Sequence, residues 1–132
     1  MRKRKIFLVD DDFDDQLIFQ SALETVSTLF DFETAYDGID ALTKIKDPAF
    51  RLPDLIFTDL NMPKMNGIRF LEAVKKLDYY QQIPVIVYST SASPADINTC
   101  KSLGAEAYLV KPSYFSELCR QLESTLRKQH II

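Results

Sequence analysis

Six polar residues at four separated places in the chain could act together. Asp10, Asp11 and Asp12 follow an apolar run at 6–9, Asp59 follows one at 55–58, Ser89 ends a run that starts at 85, and Lys111 follows one at 107–110. Two unit charges ~4 Å apart repel by about 4 kcal/mol at an effective dielectric near 20, so carboxylates that converged would be costly without a cation. Oxygen donors with no imidazole or thiolate beside them favour a hard divalent ion, Mg²⁺ or Mn²⁺, and Mg²⁺ commonly takes one or two carboxylates together with waters and phosphate oxygens. Such a group is suited to phosphate. The cation would bridge a phosphoryl oxygen as Asp59 attacks phosphorus, Lys111 would pair with a second oxygen, and the Ser89 hydroxyl would donate to a third once an aspartyl phosphate exists. Each residue alone has a plainer reading: acidic residues ahead of a helix favour its N-terminus, a lone aspartate after a strand is a turn residue, and a lysine before proline is a surface charge. The joint pattern carries the chemistry.

The elements that would position these groups are legible from patterning. Ile6 to Val9, Leu55 to Thr58 and Val85 to Tyr88 are short, apolar and rich in β-branched residues, and their lack of polar alternation predicts strands covered on both faces of a parallel sheet. Phe32 to Tyr36 and Ala107 to Val110 are weaker strand candidates. Helical spacing predicts helices over Phe13 to Val26, where Leu17, Ala22, Leu23 and Val26 recur, and over Gly38 to Ile45, Gly67 to Leu77, Pro94 to Leu103 and Tyr114 to Lys128. The last carries Leu118, Leu122 and Leu126. Gly38, Gly67 and Gly104, the chain's three glycines, each mark a predicted helix boundary, and Ser93-Pro94 reads as an N-cap followed by a first-turn proline. Strand and helix alternate throughout, which predicts an open, doubly wound α/β sheet with function beyond the carboxyl ends of its strands. The polar groups fall at those ends.

Composition narrows the classes. A chain of 132 residues, 46% hydrophobic and 27% charged, fits a single domain over 1–132 with its core at about 5–128 and no effector module, stable without disulfides or a structural metal. A formal charge of -3 makes no continuous field for nucleic acid, so direct nucleic-acid binding is not expected. The basic run Arg2 to Lys5 reads as a solvated start to the first strand, and the apolar stretch behind it is too short for a secretion signal. No segment is long and apolar enough for a bilayer, so a cytoplasmic location is expected. Cys100 and Cys119 have no CxxC partner and only His130 as an imidazole neighbour in sequence; they read as free thiols without chemistry.

Four motifs then carry a resemblance: Phe-Leu-Val-Asp-Asp at 7–11, Asp-Leu-Asn-Met-Pro at 59–63, Asn-Gly at 66–67, and Gly-Ala-Glu-Ala-Tyr-Leu-Val-Lys-Pro at 104–112. With them the chain resembles the receiver domains of two-component response regulators from Lys5 to about Lys128, and among these the single-domain, chemotaxis-type receivers. The resemblance implies a flavodoxin-like, doubly wound five-stranded parallel sheet of order 2-1-3-4-5 with five helices. It also implies a phosphoacceptor switch of a two-component or phosphorelay system, loaded by a histidine kinase or histidine phosphotransfer protein. Asp59 would be the phosphoacceptor, Asp11 a direct metal ligand, Asp10 a carboxylate holding the metal mainly through water, and the backbone carbonyl of Asn61 a further ligand. Lys111 would pair with phosphate, Ser89 would supply the switching hydroxyl, and the rotamer of Tyr108 would report activation. Serine at 89, where threonine is more frequent, keeps the hydroxyl with a looser rotamer preference. Asn61 and Ser91 would flank the water path and tune phosphate lifetime. Asp12 falls outside the set as a supporting or helix-capping residue, and the Lys111–Pro112 bond is expected to be cis.

The same resemblance implies no enzyme beyond self-catalysed phosphorylation and dephosphorylation, a monomer or weak dimer, and output through contacts with an unidentified downstream protein. The output surface would carry Ile97, Lys101, Tyr108, Tyr114 and Glu117 on the fourth helix, fifth strand and fifth helix; Tyr114-Phe115 could anchor a partner or pack within the last helix. Two alternatives stand beside this reading. One is a haloacid dehalogenase-like phosphatase using Asp10 as nucleophile, since Asp10-Asp11-Asp12 gives Asp-x-Asp after a first strand, although Phe13, the short chain and the 59–63 motif argue against it. The other is a receiver-shaped binding module that accepts no phosphate.

Overall fold

The structure, a computed structural model, describes residues 3–132; Arg2 of the basic run lies outside them. Strands β1 (Arg4–Val9), β2 (Phe30–Ala35), β3 (Leu55–Thr58), β4 (Val85–Ser89) and β5 (Ala107–Val110) alternate with helices α1 (Phe13–Val26), α2 (Gly38–Lys46), α3 (Gly67–Lys75), α4 (Pro94–Ser102) and α5 (Phe115–Lys128), and a 3₁₀ turn at Asp78–Tyr80 follows α3. The strands form one parallel sheet of order β2-β1-β3-β4-β5, the flavodoxin-like order expected.

Alternation within the buried strands divides the core into two. Phe7 and Val9 of β1, Ile56 of β3, and Val85 and Val87 of β4 join Phe70, Leu71 and Val74 of α3 on one face. Ile6 and Leu8, Leu55 and Phe57, and Ile86 and Tyr88 join Phe19, Ala22 and Leu23 of α1 and Leu118, Leu122 and Leu126 of α5 on the other. Burial on both faces is why the strands read as continuous apolar runs. Among the described residues no helix is long and apolar enough to cross a membrane.

Two expectations are corrected here. Helical spacing puts Leu17 of α1 toward the core, yet Leu17 is 49% exposed while Gln16, Phe19, Ala22 and Leu23 are buried. The Gln16 amide donates to the carbonyls of Asp10 (2.7 Å) and Ala35 (3.4 Å). Those bonds set the rotation of α1 and turn Phe19 toward Phe57 and Tyr88, whose rings it meets edge-on. Lys5 is likewise not a solvated lead-in: it lies within β1 and is only 5% exposed. Its ammonium donates to the Arg51 carbonyl at 2.9 Å, pairs with Glu33 at 3.3 Å and sits 3.5 Å from the centre of the Phe50 ring. Gly104 stops α4 at φ +101°, as its position in the sequence suggests. Gly67 has a different reason to be glycine: a Cβ there would fall 2.0 Å from the Asp59 carbonyl oxygen.

Candidate functional site

Parallel register levels the strand ends. Val9 pairs with Thr58, Thr58 with Val87, and Ser89 with Val110. The ladders continue one residue further through Asp10 N–H to Ala35 (3.0 Å), Asp59 N–H to Val9 (2.9 Å) and Lys111 N–H to Ser89 (2.8 Å), all ending on carbonyl oxygens. Asp10, Asp59 and Lys111 therefore leave the sheet at one rim, and their side chains meet.

The Lys111 ammonium is the hub. It donates to Asp10 Oδ2 at 2.9 Å, Asp15 Oδ2 at 2.8 Å and Asp59 Oδ2 at 3.0 Å, which uses all the N–H bonds an ammonium has. Burial alone would lower its pKa, but the hydrogen bonds to Asp15 and Asp10 and the charges of Asp10 and Asp59 together hold it above the ordinary lysine value. Asp10 has no solvent exposure. Burial pushes its carboxyl up to about 6, against the opposing pull of the Asp12 N–H and Lys111. Asp59 is 8% exposed, its Oδ1 accepting the Leu60 N–H at 2.7 Å. Asp11 is exposed.

Asp10, Asp11 and Asp59 each offer a carboxylate oxygen, and these oxygens lie within 4.8 Å of one another. Asp10 and Asp59 share the Lys111 ammonium with Asp15, and Asp11 adds a further carboxylate beside them, a local excess of negative charge that a hard divalent cation would relieve. The residues present therefore fit Mg²⁺ or Mn²⁺. Asp12 takes the capping role expected of it, accepting the Asp15 N–H at 3.0 Å at the start of α1.

The remaining candidates lie around this cluster. Ser89 is wholly buried and its Oγ accepts the Ser91 N–H at 3.2 Å. The Ser91 carbonyl accepts the Tyr108 hydroxyl at 2.7 Å, and Ser91 Oγ donates to Asp96 in the first turn of α4 at 2.7 Å. Ser89, Tyr108 and α4 are thus joined through one residue, with Tyr108 half-buried against the core. Asn61 is exposed in the loop between β3 and α3, where Pro63 restricts the chain and Lys64 takes a left-handed φ of 63°. Asn66 caps α3 by accepting the Arg69 N–H at 3.0 Å. Of the expected output surface, Lys101, Tyr114 and Glu117 are exposed, Ile97 and Tyr108 half-buried; Glu117 pairs with Arg120.

Two findings differ from expectation. No peptide bond among the described residues is cis, so Lys111–Pro112 is trans; the trans form is favoured intrinsically by about 0.5–1 kcal/mol, and from it the ammonium already reaches the carboxylates. Asp15 joins the site although no sequence motif marks it. Its place three residues beyond the capping Asp12 is a recognisable first-turn position, but its tie to Lys111 spans 96 residues and leaves no local signal.

A family model described as response regulator receiver domain matches residues 6–123. The transcriptional regulatory protein CpxR of Escherichia coli (strain K12) is 36% identical over 126 residues, covering 96% of this chain and 50% of that protein. The transcriptional regulatory protein PrrA of Mycobacterium tuberculosis is 32% identical over 125 residues, covering 95% and 51%. The chain spans about half the length of the curated relatives it matches. Among solved structures, the phosphorylated cyanobacterial phytochrome response regulator RcpA superposes with a TM-score of 0.89 at 30% identity, covering 97% of this chain and 94% of that one. The chemotaxis response regulator CheY4 of Vibrio cholerae gives 0.78 at 31%, covering 98% and 99%. The Mn²⁺-bound form of response regulator Rcp1 gives 0.82 at 27%, covering 93% and 91%.

Proposed function

Because this chain belongs to the response regulator receiver domain family, we propose that it is a phosphoacceptor switch in which Asp59 takes a phosphoryl group from a histidine kinase or a histidine phosphotransfer protein. The observation that carries the reading is the meeting of Lys111 Nζ with Asp59 Oδ2 at 3.0 Å beside the convergent oxygens of Asp10 and Asp11. Asp59 is preferred to Asp10 as the nucleophile because Asp10 has no exposed surface from which to attack, which argues against the phosphatase alternative.

An Asp59 carboxylate oxygen forms the new bond to phosphorus as the donor's P–N bond breaks and the donor imidazole leaves with the electron pair. Lys111 neutralises one phosphoryl oxygen and the Ser89 hydroxyl donates to another. Asp10, Asp11, Asp59 and the Asn61 carbonyl would hold Mg²⁺ or Mn²⁺, which supplies charge neutralisation at a phosphoryl oxygen. Drawing Ser89 toward the phosphate removes the acceptor of the Ser91 N–H, and through Ser91 the shift reaches Tyr108 and the first turn of α4. The changed face of α4, β5 and α5, with Ile97, Lys101, Tyr108, Tyr114 and Glu117, then meets a downstream protein. Residues 5–128 act as one receiver unit, in the cytoplasm, where histidine kinases present their phosphoryl groups.

Acetyl phosphate with Mg²⁺, followed by intact-mass measurement, tests the reading. The native protein is expected to gain a base-labile phosphate that Asp59→Asn does not. Labelling that persists in Asp59→Asn but disappears in Asp10→Asn would favour the phosphatase, and an unlabelled native protein would favour a binding module without phosphate chemistry.

A further inference from the structure

The three carboxylates on Lys111 are not equivalent. Asp10 and Asp59 belong to the group of oxygens lying within 4.8 Å of one another, and Asp15 does not. A cation and a phosphoryl group arriving at the rim would draw on Asp10 and Asp59 and compete with the ammonium for both. Asp15, whose Oδ2 is 2.8 Å from Nζ, is the partner left to it.

Asp15 is itself held on both sides along the chain. Its N–H donates to the Asp12 carboxylate at 3.0 Å, and the next residue, Gln16, ties the helix to the carbonyls of Asp10 and Ala35 at 2.7 and 3.4 Å. The first turn of α1 cannot rotate Asp15 away from the rim without breaking these bonds. A free lysine side chain samples many rotamers, so a carboxylate on an anchored stretch of helix that already orients the ammonium removes much of the ordering that phosphoryl transfer would otherwise require.

We infer that Asp15 is a positioning residue, an anchor that keeps the Lys111 ammonium at the acceptor while cation and phosphoryl group claim its other two partners. The inference rests on the phosphoacceptor reading of Asp59 and adds to it a residue on α1 that touches neither phosphate nor cation.

The test compares native protein with Asp15→Asn, Asp15→Glu, Lys111→Met and the double variant Asp15→Asn/Lys111→Met. With saturating Mg²⁺ the ¹H–¹⁵N signal of the Lys111 ammonium is expected to be visible because its protons exchange slowly, to vanish in Asp15→Asn and to return in Asp15→Glu, whereas without divalent cations, where Asp10 and Asp59 still accept from the ammonium, it should persist in Asp15→Asn. With saturating Mg²⁺, the maximal rate of labelling by acetyl phosphate is expected to fall about 10-fold or more in Asp15→Asn, the scale for partners that orient a working group. The half-saturating concentration of acetyl phosphate should stay where it was, and Asp15→Glu should restore most of the rate. In the Lys111→Met background Asp15→Asn should change nothing further. A native maximal rate in Asp15→Asn, or a loss as large without Lys111 as with it, overturns the inference and leaves the acceptor reading standing. If the native protein takes no phosphate at all, it is the acceptor reading that fails, and the ammonium signal alone then decides whether Asp15 holds the lysine.

Discussion

The two ends of β1 each bury a charge, and they resolve it in opposite ways. At the amino end Lys5 has one acidic partner, Glu33, together with the Arg51 carbonyl and the Phe50 ring. Around it the charges continue in matched pairs, Arg4 with Asp54 at 3.5 Å and Arg51 with Asp31 at 3.1 Å. At the carboxyl end Asp10, Asp15 and Asp59 share the Lys111 ammonium, the one cation bonded to them among the described residues, and the Asp11 carboxylate lies beside Asp10 and Asp59. The first arrangement is complete as it stands; the second is left deficient in positive charge by several units. A groove of roughly 580 Å³ opens at the balanced end, lined by Lys5, Lys44 and Arg51 as well as Asp31, Glu33 and Asp47. That groove and the unmatched charge thus lie at different places, and the unbalanced charge is the better guide to function because it indicates the chemistry of what would bind.

Breaking each end should expose the difference. The largest effect is expected from Lys111→Met, which leaves the wholly buried Asp10 and its neighbours without their cation: about 3 kcal/mol of stability lost in urea unfolding at pH 7 without divalent ions, with part of the loss recovered on adding Mg²⁺. Next, Mg²⁺ at about 100 times its dissociation constant should raise the stability of the native protein by about 2.7 kcal/mol. Asp11→Asn should remove most of that gain, whereas Lys5→Met should leave it intact.

The third prediction concerns pH. The folded-state value of Asp10, about 6, lies above the reference of 3.8, so a neutral Asp10 favours the fold fully below pH 3.8 and that contribution disappears as pH rises through about 6. The stability of the native protein relative to Asp10→Asn should therefore increase by about 2 kcal/mol between pH 7 and pH 4 in the absence of divalent ions, measured by parallel urea titrations. A difference that ran the other way would mean that Lys111 outweighs burial at this carboxyl. The smallest effect belongs to the balanced end: Lys5→Met should cost about 1 kcal/mol, because its partner Glu33 is partly solvated and its stem remains apolar, and Mg²⁺ should not alter that cost.

Much of this architecture was legible before any coordinates. The alternation of strands and helices, both faces of the sheet, the acidic triplet after β1, Asp59 after β3 and Lys111 after β5 all follow from local patterning and motifs. What escaped had one character. Leu17 looked inward by spacing, but Gln16 set the helix by bonding carbonyls at two strand ends. Lys5 looked solvated, but its acceptor is the carbonyl of a residue 46 positions away. Gly67 opens α3 as expected, but the close backbone approach to Asp59 that excludes a side chain there leaves no local signal. Asp15 stands in the first turn of α1, and its partner Lys111 comes from just beyond β5.

By itself the sequence determined which segments become strands and helices and which functional groups stand at their ends, because periodicity, caps and turn residues act over a few positions. Only the tertiary structure decided that Asp15 shares Lys111, that Asp10 loses all contact with water and that Ser91 joins Ser89 to Tyr108. Those outcomes depend on strand register and helix rotation, where a shift of one residue turns each side chain to the other face while the local pattern stays the same.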